Sequence, residues 1–170
     1  TMGHYTSYLS DDPHFPCNIL DDQYLSPCYF YQTSRMLVVF EGHYEQVAAA
    51  CAVAPKNAQN ECFLSYGRDV GAVTREDPAR AISLCDHADN PDHRIMCLEG
   101  AVQDRFWDLQ GAESALTMCH MIGEDRAKER CYWVIINRAF ELYPTNDGFK
   151  DFCRNLPERY SNLCDKVSAN

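Results

Sequence analysis

The sequence predicts an all-α fold: a right-handed α-solenoid of antiparallel helix pairs, with a thirty-four-residue repeat and one disulfide stapling each repeat. Three observations carry this expectation. Cys17, Cys51, Cys85, Cys119 and Cys153 are evenly spaced, thirty-four positions apart at every step. A second cysteine trails each of them, at Cys28, Cys62, Cys97, Cys131 and Cys164. The offset is twelve positions for Cys97 and Cys131 and eleven for the other three, so all ten cysteines belong to the pattern. Short and long stretches of helical periodicity alternate in step with the cysteines. Self-similarity at a period of about 20–50 residues marks stacked supersecondary units, each of which buries its apolar face only against its neighbours. The period divides a single domain into a partial repeat (1–16), full repeats at 17–50, 51–84, 85–118 and 119–152, and a second partial repeat (153–170).

In chain order, Ser10-Asp11-Asp12-Pro13 carries a capping side chain, acidic residues and an early proline, so a short helix is expected over residues 11–19. A long helix is expected over 25–40, where Tyr29, Thr33, Met36, Leu37 and Phe40 recur at steps of three and four. Gly42 stops it. An alanine-rich short helix over 44–54 ends at Pro55. The pair then recurs: long over 58–73 and short over 78–88, with Thr74-Arg75-Glu76-Asp77-Pro78 as a helix start. It recurs again as 91–109 and 112–122, separated by Gly111 and closed by Gly123. The next long helix spans 124–142 and stops at Tyr143-Pro144. Asn146-Asp147-Gly148 reads as a turn, 149–156 as a short helix, and 157–167 as a last long helix.

Aligning the repeats on their first cysteine shows what each column does. Val47, Ala81, Ala115 and Phe149 lie four residues before it, and Pro16, Ala50, Leu84, Met118 and Phe152 one before. Leu20, Ala54, Ala88, Ile122 and Leu156 lie three after. Positions −4, −1, 0 and +3 form one stripe of a helix, the face expected to be buried. In the long helices, Tyr29, Phe63, Leu98 and Tyr132 follow the second cysteine directly, and Thr33, Gly67, Val102 and Ile136 continue that stripe. The small residues Gly67, Ala81 and Ala115 allow close approach of helix backbones. Seven residues after the second cysteine stand Arg35, Asp69, Asp104 and Arg138, read as a solvated face. Trp107 and Trp133 are read as core residues of long helices.

In an antiparallel helix pair, residues equally far from the connecting loop face each other. Five local disulfides are therefore expected: Cys17–Cys28, Cys51–Cys62, Cys85–Cys97, Cys119–Cys131 and Cys153–Cys164, each worth about 2–4 kcal/mol. Zinc would be signalled by cysteines separated by two to four residues, and no such pair is present; His87, His93 and His120 do not repeat with the cysteines. Haem attachment fails because Met118-Cys119-His120 lacks the first cysteine of its motif. The acidic pairs Asp11-Asp12 and Asp21-Asp22 lie outside any calcium-loop pattern. No metal and no cofactor is expected. No nucleophile–base–acid constellation, phosphate loop or carboxylate pair stands out, so no enzymatic activity is expected either.

An even set of cysteines at regular spacing belongs to an oxidising compartment, extracellular or periplasmic. The sequence has no leader pattern at Thr1, so secretion implies a leader already removed or a fragment. No apolar run is long enough for a membrane span. The formal net charge of −10 excludes the basic footprint that nucleic acid requires and leaves cationic partners favoured.

The period, the helix pairs and the apolar columns resemble tetratricopeptide and Sel1-like repeat proteins, and the paired cysteines look like the cysteine-rich branch of the latter. The resemblance covers the whole chain as architecture. Ala81 and Ala115 match the small residue of the second helix, whereas the Trp, Leu-Gly and Tyr pattern of the first helix is mostly absent. The resemblance implies binding of proteins or peptides on a concave face. A second expectation comes from the ends. The first short helix has no long helix before it and the last long helix has no short helix after it, and the length equals five repeats. Head-to-tail self-assembly into a filament is then expected, with Tyr5, Tyr8 and Leu9 meeting Leu163 and Val167. The alternative is a scaffold that holds another protein in its concave face.

Overall fold

The computed structural model describes residues 11–168. Among them there are nine α-helices and no strand: α1 (Asp22–Val39), α2 (Tyr44–Val53), α3 (Gln59–Val73), α4 (Pro78–Cys85), α5 (Pro91–Arg105), α6 (Ala112–Met121), α7 (Asp125–Leu142), α8 (Asn146–Arg154) and α9 (Glu158–Ser168). The protein is all-helical. Three of the helix starts, those of α4, α5 and α8, follow a side chain that satisfies a free backbone N–H group. Asp77 accepts from the Arg80 amide at 2.9 Å ahead of Pro78. Asn90 accepts from the His93 amide at 2.9 Å ahead of Pro91. Thr145 accepts from the Gly148 amide at 3.2 Å, which makes Asn146-Asp147-Gly148 the first turn of α8 rather than the separate turn expected. At the end of α1, Glu41 and Gly42 take positive φ values of 52° and 83°, and the Gly42 amide returns to the Leu37 carbonyl at 2.8 Å. A left-handed C-cap of this kind suits glycine.

Other segments also depart from expectation. Residues 11–19 form turns and a single 3₁₀ turn at Cys17–Ile19 instead of an α-helix. Pro13 and Pro16 supply no N–H, and each pushes the residue before it away from the helical region. Pro16 and Leu20 are accordingly exposed rather than part of a buried stripe. Helix α5 stops at Arg105, four residues short of expectation, and a 3₁₀ turn follows at Leu109–Gly111. Asp108 starts that turn by accepting from the Gln110 and Gly111 amides at 2.9 and 3.2 Å.

The long helices pack side by side in chain order, α1 on α3, α3 on α5, α5 on α7 and α7 on α9, and each short helix lies against the long helices on either side of it. The long helices run parallel. Asp92 and Arg126, both in first turns, pair at 2.6 Å, while at the other end Arg138 of α7 donates to the Phe106 carbonyl just after α5. The tightest contact is α3 on α5. A Cβ on Gly67 would lie 1.9 Å from the Cys97 carbonyl oxygen, and one on Gly100 would lie 2.1 Å from that of Leu64. No side chain fits between the two helices at these positions.

The ten cysteines form five disulfides, Cys17–Cys28, Cys51–Cys62, Cys85–Cys97, Cys119–Cys131 and Cys153–Cys164, with Cα separations of 5.4–6.3 Å. Four of the bridges close the loop of a helix pair, and Cys17–Cys28 ties the 3₁₀ turn to α1. Next to them, Tyr29, Phe63, Leu98 and Tyr132 are buried; Phe63 stacks on His93 at 4.4 Å and Tyr132 on Tyr160 at 3.9 Å. Each such burial contributes about 1.5–3 kcal/mol. At the same offset in α9 stands Asp165, which is exposed.

Candidate functional site

The parallel long helices leave a groove of about 1040 Å³ along their N-terminal halves. Its lining includes Ile95 and Met96 of α5, Trp133 of α7 and Leu163 of α9. Its polar rim is already organised. Asp92 and Arg126 pair across α5 and α7 at 2.6 Å. Arg130 grips the buried Glu99 carboxylate through Nε and Nη2 at 2.7 and 3.1 Å. His93 is held by Asp89 at 2.5 Å and by Asn90 at 2.9 Å, with its ring against Phe63. Trp133, expected in the core, is only partly buried and lines this groove.

A second hollow of about 710 Å³ lies between α7, α8 and α9, where Phe140, Phe149 and Leu156 meet Asn162, Asp165 and Ser168. Helix α9 is the element assigned above to end-to-end contact, and its chemistry differs from expectation. Val167 is only 6% exposed and belongs to the core. Its offset from the second cysteine is that of Gly100, which faces the preceding long helix, so Val167 packs inward on α7. Leu163 is half-buried and lines the groove. The outward face of α9 carries Asn162, Asp165 and Ser168 instead, all exposed. Tyr5, Tyr8 and Leu9 lie outside the described residues.

The column Arg35, Asp69, Asp104 and Arg138 is not a solvated face. All four residues are half-buried, and each reaches a neighbouring element. Arg35 Nε donates to the Phe15 carbonyl at 2.9 Å, Asp104 pairs with Arg75 at 3.5 Å, and Arg138 donates to the Phe106 and Trp107 carbonyls at 3.3 and 3.2 Å. Arg105, one residue from this column, is buried and donates to the Thr74 and Arg75 carbonyls just past α3. Arg105 and Arg138 thus place guanidinium groups on carbonyls at helix C-terminal ends, where the helix dipole favours positive charge. Helical periodicity names the column but not the neighbour it meets.

Asp69 accepts from Thr33 Oγ1 at 2.6 Å and from Ser34 Oγ at 2.8 Å, and the Ser65 hydroxyl in turn meets Thr33 at 2.5 Å. Burial raises the Asp69 carboxyl above its ordinary value of 3.8, against the lowering effect of these hydroxyls and of Arg68. The folded state therefore binds the proton more readily than the unfolded chain. This contribution to stability is complete below pH 3.8 and is lost as pH rises through the folded-state value. Asp69→Asn should accordingly melt above the unsubstituted protein at neutral pH, with the difference closing below pH 3.8. Thermal melts across pH check this, and a difference that is the same at both ends would contradict it.

Among the described residues, no three His, Cys, Asp or Glu side chains are grouped to hold a metal ion, and no helix is long and apolar enough to cross a membrane. Five disulfides fit an oxidising compartment. No protein-family model, curated protein or solved structure matches this chain.

Proposed function

We propose that this is a non-catalytic, secreted scaffold: an α-solenoid of disulfide-stapled helix pairs, one pair to each step of the cysteine period, akin to tetratricopeptide and Sel1-like repeats. It holds an extended segment of a partner protein in its long-helix groove. The observation that carries this reading is Trp133, a partly buried aromatic beside Ile95, Met96 and Leu163 in a groove rimmed by both signs of charge. Such a rim suits a polypeptide, whose backbone offers donors and acceptors, while the apolar residues take its side chains. The test is a displayed library of random twelve-residue peptides selected against the non-reduced protein. Trp133→Ala should weaken the selected peptides about tenfold or more, as expected for a central aromatic anchor. Selected peptides that bind Trp133→Ala as tightly, with its circular dichroism unchanged, would refute the groove.

End-to-end self-association is the second reading, favoured by the hollow beside Phe140, which is 43% exposed, and opposed by the polar outer face of α9. Sedimentation across a dilution series separates the two. Filaments that shorten on dilution support assembly, and one monomeric species at every concentration supports the scaffold.

A further inference from the structure

The C-terminal ends of the parallel long helices form the edge opposite the disulfides, and that edge carries an exposed apolar row. Val38 is 66% exposed, Val73 54%, Trp107 70% and Phe140 43%, one residue from each of α1, α3, α5 and α7 or from just beyond it. An isolated exposed apolar side chain needs no explanation, but one at the same end of four successive helices does. The row is also rigidly mounted. Arg105 holds the Thr74 and Arg75 carbonyls next to Val73, and Arg138 holds the Trp107 carbonyl at 3.2 Å. A tryptophan with a fixed backbone and a free ring is a pre-organised anchor.

The charge around the row has one sign to spare. Asp108 neighbours Trp107, Glu141 shares the Arg138 guanidinium with the Trp107 carbonyl, and Asp104, Glu76 and Asp77 act on Arg105. Arg75 offsets Asp104, Arg138 offsets Glu141 and Arg105 is turned to carbonyls, which leaves the exposed Asp108 carboxylate beside Trp107 as the spare charge. A cationic side chain placed over the Trp107 ring would meet the aromatic face that binds cations best, beside the Asp108 carboxylate.

We infer that this edge is a docking surface for a basic, extended segment of another protein, with Trp107 as its cation-binding anchor and Val73 and Phe140 taking the intervening apolar side chains. Neighbouring helix axes about 8–10 Å apart put the row over about 25–30 Å, the reach of about eight or nine extended residues. This surface is separate from the groove at Trp133, and neither depends on the other.

The probe is a labelled ten-residue peptide of alternating lysine and leucine, with its glutamate–leucine counterpart, titrated by fluorescence anisotropy into the non-reduced protein. The lysine peptide should bind and the glutamate peptide should not. Trp107→Ala should weaken the lysine peptide about tenfold, and Trp107→Phe, which keeps a ring, by less. Asp108→Asn, which still caps its turn, should give a smaller loss. The Trp107 ring lies outside the core, so circular dichroism of these variants should match the unsubstituted protein. Three results would each overturn the proposal: undiminished binding of the lysine peptide by Trp107→Ala, equal binding of the glutamate peptide, or a dimer in sedimentation that Trp107→Ala abolishes, which would make a second copy the occupant.

Discussion

Excess reductant should unfold this protein at 37 °C. Each of the five bridges closes a loop of 11 or 12 residues and contributes about 2–4 kcal/mol. Even the lower value, taken five times, is about 10 kcal/mol, which matches the whole stability of a typical domain. The short helices also lack the length to stand alone. Helix α4 has 8 residues and α2 has 10, below the roughly 12–15 at which an isolated helix becomes marginal in water. Far-UV circular dichroism melts with and without reductant provide the measurement. A cooperative transition that stays well above 37 °C after complete reduction would mean that packing alone sustains the fold.

The second large effect is expected from a single methyl group. Gly67→Ala puts a Cβ 1.9 Å from the Cys97 carbonyl oxygen and 2.7 Å from its carbon. Both are backbone atoms, and Cys97 is tied to Cys85, so neither can turn aside as a flexible side chain would. Alanine gains about 1 kcal/mol over glycine in a helix, yet the overlap outweighs it, and a net loss of about 3 kcal/mol is expected. Gly123→Ala is the control, because a Cβ there meets nothing within 4 Å. It should be neutral or stabilise by up to about 1 kcal/mol. Urea unfolding of the two variants compares them, and equal stabilities would mean that α3 and α5 are not in backbone contact.

How much of this was legible in the sequence depends on whether a feature is local. The helical class, the alternation of short and long helices, and the cysteines flanking each loop all follow from spacing within a single repeat, and the structure is helical with its bridges across those loops. The failures come from neighbours that periodicity cannot name. Trp107 reads as a core residue of a helix expected to run to residue 109, but α5 stops at Arg105 and the side chain stands in solvent. Arg35, Asp69, Asp104 and Arg138 read as a wet face because nothing in their own helices shows that adjacent elements offer Phe15, Thr33, Arg75 and Phe106 as partners. Val167 looked free for contact, yet its register turns it toward α7. One available signal went unused: Asp165 stands where every earlier long helix has an aromatic residue or leucine, so the outer face of α9 could have been read as polar from the alignment of the cysteines alone.

The placement of the bridges also sets how the molecule would answer a pulling force. Every disulfide closes within its own helix pair, and none ties one pair to the next. Tension applied between the two ends would therefore load only noncovalent contacts such as the Tyr132–Tyr160 stack and the Arg159–Asp125 ion pair. Pairs would detach one at a time. Each released pair would lengthen the chain only by the residues outside its closed loop, at about 3.3–3.6 Å per residue. The thread would yield in short steps while every loop stayed shut, and could refold pair by pair when the load was removed.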